Sequence, residues 1–205
     1  DKPIEDITKT ERQIAKSVSF LIVYGGGAFN LSETMGIPMK RAEKIISDYQ
    51  NVYPGIFKYM EFVNEYVLAN QEAYTIFGRN RKLPNVTSKD RGVVNRALRQ
   101  GLNFTIQSTA SDILLCALLG ISRRFKREGM EARPVATVHD SIEVVSPKNE
   151  SKRAMEIIYD EMVNYPTLRK VFNIEFDIPF GIDVELGTSF GNVKEVHFDG
   201  GVPVL

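Results

Sequence analysis

The stretch from Arg12 to Gly27 constrains this chain more than any other. It reads Arg-Gln-Ile-Ala-Lys-Ser-Val-Ser-Phe-Leu-Ile-Val-Tyr-Gly-Gly-Gly, and up to Tyr24 its spacing predicts one amphipathic helix. At about 100° per residue, Ile14, Ala15, Val18, Leu21 and Ile22 share a face that should be buried. Arg12, Lys16, Phe20 and Tyr24 recur every fourth residue on the opposite side. The glycines then supply the positive φ with which helices commonly end. Two cations one turn apart suit a polyanion such as a triphosphate, because Arg offers a planar fork of donors and Lys a mobile point charge. A ring one turn further on can pack on a sugar or base. The same spacing also describes an ordinary surface helix with solvated charges, and spacing alone leaves that reading open.

The chain has 205 residues, enough for one large domain or two small ones. Its 26 Lys and Arg balance its 26 Asp and Glu, so any contact with nucleic acid must come from local patches rather than net charge. A single cysteine, Cys116, excludes an intramolecular disulfide framework and most zinc sites; its apolar surroundings predict a buried small residue. No run reads as a membrane span, and the polar, acidic start does not resemble a signal peptide.

Residues 1–11 are expected to lead into the first helix. A short helix at 30–36, a second opened by Pro38 and a third after Pro54-Gly55 follow. Residues 74–77 are expected to form a short strand, turned at Gly78, with Arg79, Arg81 and Lys82 on a basic loop closed by Pro84. Such a loop suits contact with phosphate and equally suits a solvated turn. Residues 88 to about 128 read as a long helical region with a weak spot near Gly101. Arg96, Arg99, Asn103 and Gln107 share one face of its first half. Arginines beside neutral amides suit a duplex, where arginine holds phosphate and amides bond base edges. Residues 134–138 and 141–145 are β-rich runs around His139-Asp140, predicting a tight hairpin with an imidazole and a carboxylate at its tip. The bland alternative is an Asp that satisfies its own turn. Strict alternation puts Glu143 on the side of Ser141. A helix at 149–162 and one or two strands within 174–186 complete the expected elements.

Taken in this order, the motifs resemble the C-terminal part of family A DNA polymerases, the bacterial DNA polymerase I type that includes many phage replicases. The family's Arg-x3-Lys-x3-aromatic-x3-Tyr-Gly stands here as Arg12, Lys16, Phe20, Tyr24 and Gly25. Its Phe-Gly-Arg-x-Arg-x-x-Pro is matched by residues 77–84. Its Arg-x3-Asn-x3-Gln is matched by Arg99, Asn103 and Gln107, and its Val-His-Asp-Glu by Val138-His139-Asp140-Ser141. Val184 and Gly187 match a closing Val-x-x-Gly. The resemblance covers about residues 5–196, and four motifs in this order are far more specific than any one.

The resemblance implies an α+β fold, a helical fingers subdomain plus part of the antiparallel-sheet palm of a right-hand polymerase. Residues 1–87 would be fingers, and 88–205 the fingers-to-palm helix and C-terminal palm. Arg12 and Lys16 would bind the triphosphate of the incoming dNTP, Phe20 its sugar, and Tyr24 would sit by the template base. Arg79, Arg81, Arg99, Asn103 and Gln107 would contact primer–template DNA. His139 would lie near the primer end, and Asp140 would hold magnesium; with Lys16 these form the expected catalytic set. The implied reaction is attack of the primer 3′-OH on the α-phosphate, assisted by two Mg2+ ions, one shared with an Asp outside this chain. That Asp, the thumb and part of the palm are expected on an upstream segment or a separate chain. The setting would be the cytoplasm of a bacterial or phage-infected cell. Ser141 departs from the family's Glu. The competing expectation is a non-catalytic remnant that only binds primer–template DNA.

Overall fold

The computed structural model describes residues 3–204, so the first two residues of the expected lead-in and Leu205 lie outside it. The fold is α+β, helices with small antiparallel sheets, as expected. It divides into two compact units, residues 1–108 and 109–205.

In the first unit, α1 (Lys9–Val23) begins earlier than the apolar spacing suggests. The cause is a capping box: the Glu11 amide donates to Thr8 Oγ1 at 3.2 Å and the Thr8 amide donates to Glu11 Oε2 at 2.8 Å. The helix ends in a Schellman arrangement. The Gly26 amide donates to the Leu21 carbonyl at 2.7 Å and that of Gly25 to Ile22 at 2.9 Å, with Gly25 at φ +80°. The expected buried face is only partly covered. Ile22 is buried and Val18 and Leu21 are half-buried, but Ile14 and Ala15 are exposed. Among the described residues the last turns of α1 are the covered ones, and the apolar stripe of its first half is open to solvent.

Three helices follow as expected, α2 (Ala28–Met35), α3 (Met39–Val52) and α4 (Pro54–Asn70). The strand lies earlier than residues 74–77. β1 (Glu72–Tyr74) pairs antiparallel with β2 (Asn80–Lys82), and the intervening residues are the turn. Arg81 and Lys82 therefore stand on a strand rather than a loop. The Thr75 amide donates to the Arg79 carbonyl at 2.8 Å, which places the apolar Ile76-Phe77 pair inside the turn. A 3-10 turn (Pro84–Thr87) leads into α5 (Arg91–Asn103), capped by Asp90, whose Oδ1 accepts from the Gly92 amide at 2.7 Å. The core gathers Val63 and Val67 of α4, Ala73, Leu83, Val86, Ala97, Leu102 and Phe104. Gly101 is not a weak spot. A Cβ there would lie 2.8 Å from Val67 Cγ2 and 3.0 Å from Leu83 Cδ1, so glycine is what lets α5 approach α4 so closely. The irregularity falls just beyond it, where Phe104–Ser108 form a π-helical turn.

The helical path from Arg91 to Arg127 is long and apolar enough by composition to cross a membrane, against the expectation that no run reaches that length. Its second half, α6 (Thr109–Arg127), instead packs Ala117, Gly120, Ile121 and Phe125 inside the second unit. Cys116 is half-buried rather than buried, and burial pushes its thiol pKa up, with Asp112 adding to the effect. β3 (Arg133–Val138) and β4 (Ser141–Val145) form the predicted hairpin, with a register shift between Pro134 and Ala136. Ile142 and Val144 pack on the core of Ile121, Phe125, Ala132, Ala154 and Ile157. α7 (Ser151–Tyr159) continues through a π-helical turn (Asp160–Asn164) to α8 (Pro166–Phe172). There Arg124 pairs with Asp160 and, at 3.4 Å, with Glu161, which is 3% exposed. Burial raises the Asp160 pKa, but hydrogen bonds from Asn164 and Arg124 outweigh it and the net shift is downward.

The strands expected within 174–186 reduce to β5 (Val184–Ser189). Phe176 and Phe180 instead pack edge-on against Tyr165, at 5.4 Å from its ring, so this segment is held by rings and not by a ladder. β5 pairs with β6 (Asn192–Asp199), and β6 with β7 (Val202–Val204). The tail that spacing leaves featureless is thus a hairpin. Phe198 stacks on Tyr159 at 4.7 Å and Pro203 is buried.

Candidate functional site

In the first unit, α1 presents Arg12, Lys16 and Phe20 to solvent. Lys16 Nζ lies 5.7 Å from the Phe20 ring centroid, and the Phe20 and Tyr24 rings stack at 5.8 Å, 9° from parallel. The four residues therefore form one continuous stripe, cations first and rings after.

The end of this stripe is tied to the amide-lined helix. Gln107 Nε2 donates to the Tyr24 hydroxyl at 3.1 Å. A Cβ on Gly25 would meet the Arg99 side-chain stem at 3.0 Å, so Arg99 lies across the glycine that ends α1. Arg79 is fixed on the same helix. Its guanidinium sits 5.5 Å from the Phe104 ring centroid and donates to the Ser108 carbonyl at 3.0 Å. Ser108 closes the π-helical turn that follows α5. Arg81, Gln100, Asn103, Phe104, Gln107 and Ser108 line a hollow of about 220 Å3. Asn103 Oδ1 is buried there with no hydrogen-bond partner. Such an orphan typically costs about 1–3 kcal/mol. The structure thus brings together Tyr24, Arg79, Arg81, Arg99, Asn103 and Gln107 within one unit. Sequence spacing does not single out Phe104 or Ser108, because one contributes a ring face and the other a backbone carbonyl.

In the second unit, His139 and Asp140 are the two loop residues between the paired Val138 and Ser141, and both are exposed. His139 adopts φ +56°, the left-handed conformation that two-residue hairpin loops demand and that Gly or Asn normally fills. A residue with a Cβ there costs roughly 1 kcal/mol or more. Asp140 is held on a short, rigid turn. Among the described residues no three His, Cys, Asp or Glu side chains gather closely enough to hold a metal ion. Asp140 fits one ligand position of a magnesium site, since that ion keeps waters and takes one or two carboxylates alongside substrate phosphates; it does not fit a complete one. Ser141 Oγ lies 3.0 Å from the Val138 carbonyl and 2.8 Å from Glu143 Oε1, so Ser141 and Glu143 do share a side of β4.

The comparisons with known proteins converge. The model of DNA polymerase family A matches residues 1–192. The chain is 34% identical over 189 residues to DNA polymerase I of Treponema pallidum (strain Nichols), covering 92% of this chain and 18% of that protein. It is 31% identical over 201 residues to the DNA polymerase of Bacillus phage SP01, covering 96% of this chain and 22% of that one. In three dimensions it resembles the POL domain of Pol1 from M. smegmatis in complex with DNA primer-template and dNTP. That match has a TM-score of 0.79 and 26% identity, and covers 86% of this chain and 30% of that chain. The chain thus spans about a fifth of the length of the curated relatives it matches, and within that span it belongs to DNA polymerase family A.

Proposed function

We propose that this chain is the fingers and C-terminal palm portion of a template-directed DNA polymerase, and that it extends a primer 3′-OH with dNTPs once joined to the remaining palm. The observation that carries this is the Gln107–Tyr24 hydrogen bond. It links the end of the cationic helix to the amide-lined helix, so the groups suited to a triphosphate and those suited to a base pair act as one surface. Arg12 and Lys16 hold the triphosphate by charge-assisted hydrogen bonds. Phe20 packs on the sugar. Tyr24 and Gln107 abut the nascent pair, where an amide bonds acceptors present in every pair and so tests shape rather than sequence. Arg79, Arg81, Arg99 and Asn103 hold the duplex. His139 stands at the primer end. Asp140 supplies one carboxylate for magnesium, which when bound neutralises charge on the reacting phosphate; a further Asp comes from outside these residues.

The rest of the palm has a place to dock. Val135 and Val138 of β3 are 53% and 51% exposed, and Ala136 and Thr137 between them are exposed too. A β-rich run apolar on both faces reads as an interior strand. Beside it Leu115, Leu118 and Leu119 line an open groove with β3 of about 660 Å3. We infer that an upstream polymerase segment, on the same or a separate polypeptide, covers this strand. Hydrogen-exchange protection of residues 135–138 should rise when that segment is added, and unchanged exchange would exclude the docking.

The second reading is a remnant that binds primer–template DNA without chemistry, favoured by the lack of a gathered metal site among the described residues. Primer extension by the assembled polymerase decides between them. Extension by wild type that is lost in Asp140→Ala supports the enzyme. Equal DNA binding with no extension by either supports the remnant.

A further inference from the structure

The hollow beside α5 has a lining residue that no motif claims. Its walls are Arg81, Gln100, Asn103, Phe104, Gln107 and Ser108, and Gln100 falls at an unspecified position between Arg99 and Asn103. Strand alternation brings Arg81 to this hollow. Asn80 and Lys82 both bond Glu72, Asn80 Nδ2 at 3.1 Å, so Arg81 leaves the opposite side of β2. Across the ladder from it stands Ala73, which has no charge to offer. Among the described residues no carboxylate pairs with Arg81, unlike Lys82 next to it. Gln100 comes from the other wall. Gly101 seats α5 against Val67 and Leu83, and one residue earlier is about 100° around the helix, which turns Gln100 away from that contact. Among the described residues no hydrogen bond holds its side-chain amide.

We infer that this hollow seats one backbone phosphate of the primer–template, held by the Arg81 guanidinium and the Gln100 amide. The chemistry of the walls selects that ligand. They carry one cation, three side-chain amides and a hydroxyl, and no carboxylate. This is the donor set with which proteins hold phosphate oxygens, and the cation makes its share of the bonds charge-assisted. The space of about 220 Å3 admits a phosphate group with water around it. A half-turn of the Asn103 amide exchanges its unpartnered oxygen for its NH2, which then also faces the phosphate. Arg81 supplies the charge. Gln100 supplies a second direction of approach, so that the strand is held in one place and not merely attracted.

This inference rests on reading the surface as one that binds primer–template, and its test needs no extension. Binding of a fluorescent primer–template to the assembled polymerase is measured by anisotropy over a series of KCl concentrations. Arg81→Met should weaken binding about tenfold or more. It should also lower the slope of log affinity against log salt by about one, the mark of one lost phosphate contact. Gln100→Leu should weaken binding about tenfold with the slope unchanged, since a neutral amide releases no counterion. Gln100→Glu should bind less well than Gln100→Leu, because it sets a carboxylate against the phosphate. A second series replaces the phosphates one at a time by neutral methylphosphonates. Wild type should lose affinity at several linkages, and at one of them Gln100→Leu and Arg81→Met should lose nothing further. Because coupling to a single linkage is read, a general loosening of α5 does not imitate this result. The proposal fails if Gln100→Leu binds as tightly as wild type or responds as wild type does at every linkage. It fails equally if the lost coupling is to a minor-groove nitrogen, probed with deazapurines, which makes Gln100 a reader of base edges. Wild type that binds and extends but shows no such linkage overturns this inference alone. Wild type that binds without extending overturns the polymerase reading alone.

Discussion

In the first unit the candidate ligand-facing residues hold one another. Gln107 bonds Tyr24, Arg99 lies over Gly25, and Arg79 is fixed on Phe104 and Ser108. In the second unit the candidate acid stands alone at an exposed hairpin tip, on a strand whose apolar side chains are open to solvent. The difference teaches where each kind of work can be done. The proposed recognition of a nucleotide and a duplex would need many weak contacts on one surface, and the first unit has a core of its own on which to build it. The proposed charge neutralisation would need carboxylates brought together at considerable electrostatic cost, and among the described residues none gathers beside Asp140 into a group that could hold a metal ion.

The comparison is broken most directly at the tip. Asp140→Ala is expected to lower extension by the assembled polymerase about a thousandfold or more, since a metal ligand accounts for several kcal/mol of transition-state stabilisation. Binding of primer–template should not change under the proposed division, which assigns it to the first unit. Loss of binding in step with rate would show that the two roles are not divided this way.

Next in size is the ion knot of the second unit. Arg124→Met removes the partner of Glu161, which is 3% exposed and already has one oxygen without a hydrogen bond. Stranding a buried carboxylate costs about 3–5 kcal/mol. Hydrogen exchange should quicken across α6, α7 and α8 while α3 and α4 keep their protection. Equal loss in both units would mean they fold as one, not two.

Lys16→Ala tests the stripe on α1. A charge-assisted hydrogen bond contributes about 1.5–3 kcal/mol, so KM for dNTP should rise roughly ten- to a hundredfold with DNA affinity unaltered. Gly101→Ala follows. Its Cβ would press on Val67 and Leu83, and overpacking of this kind costs about 1–3 kcal/mol. The loss should appear as faster exchange in α4 and α5 and leave the β3–β4 hairpin untouched.

The same contrast explains what the sequence makes legible. Helices α2, α3 and α4 carry regular apolar spacing with glycine or proline at their borders, and they fall where that spacing puts them. The β3–β4 hairpin is equally plain, because two β-rich runs flank a two-residue gap. Pattern reading stumbles where tertiary contacts decide. Ile14 and Ala15 complete a convincing apolar face, yet among the described residues no neighbour buries them. Gly101 looks like a helix breaker until Val67 is known to lie against it. The π-helical turn at 104–108 has no sequence signature. Strand β6 lacks a clean alternation; what betrays its hairpin with β7 is the Gly200-Gly201 pair at the turn. The Ser141–Glu143 pair was readable as two same-side residues, but only the coordinates show one receiving the other.

The smallest expected effect contrasts the two hairpins. In β1–β2, Glu72 accepts from Lys82, from the Tyr74 hydroxyl at 3.0 Å and from Asn80 Nδ2 at 3.1 Å. The hydrogen bond from Lys82, then that from Tyr74, lowers the Glu72 pKa below its ordinary value of 4.5, and the same pairing raises Lys82 above 10.5. A lowered carboxylate pKa means that the unfolded hairpin binds a proton more readily than the folded one. The pair's contribution is therefore complete above about pH 4.5 and is lost as pH falls through the lower folded value. At the alkaline edge the sign reverses: the contribution is complete below 10.5 and lost as pH rises through the raised Lys82 value. Among the described residues no ion pair joins β3 to β4. NMR shifts of the Ala73 and Arg81 amides should follow an acid transition below pH 4.5 that Glu72→Gln abolishes. A transition that survives Glu72→Gln would place the acid sensitivity in the packing beneath the hairpin instead of in its charges.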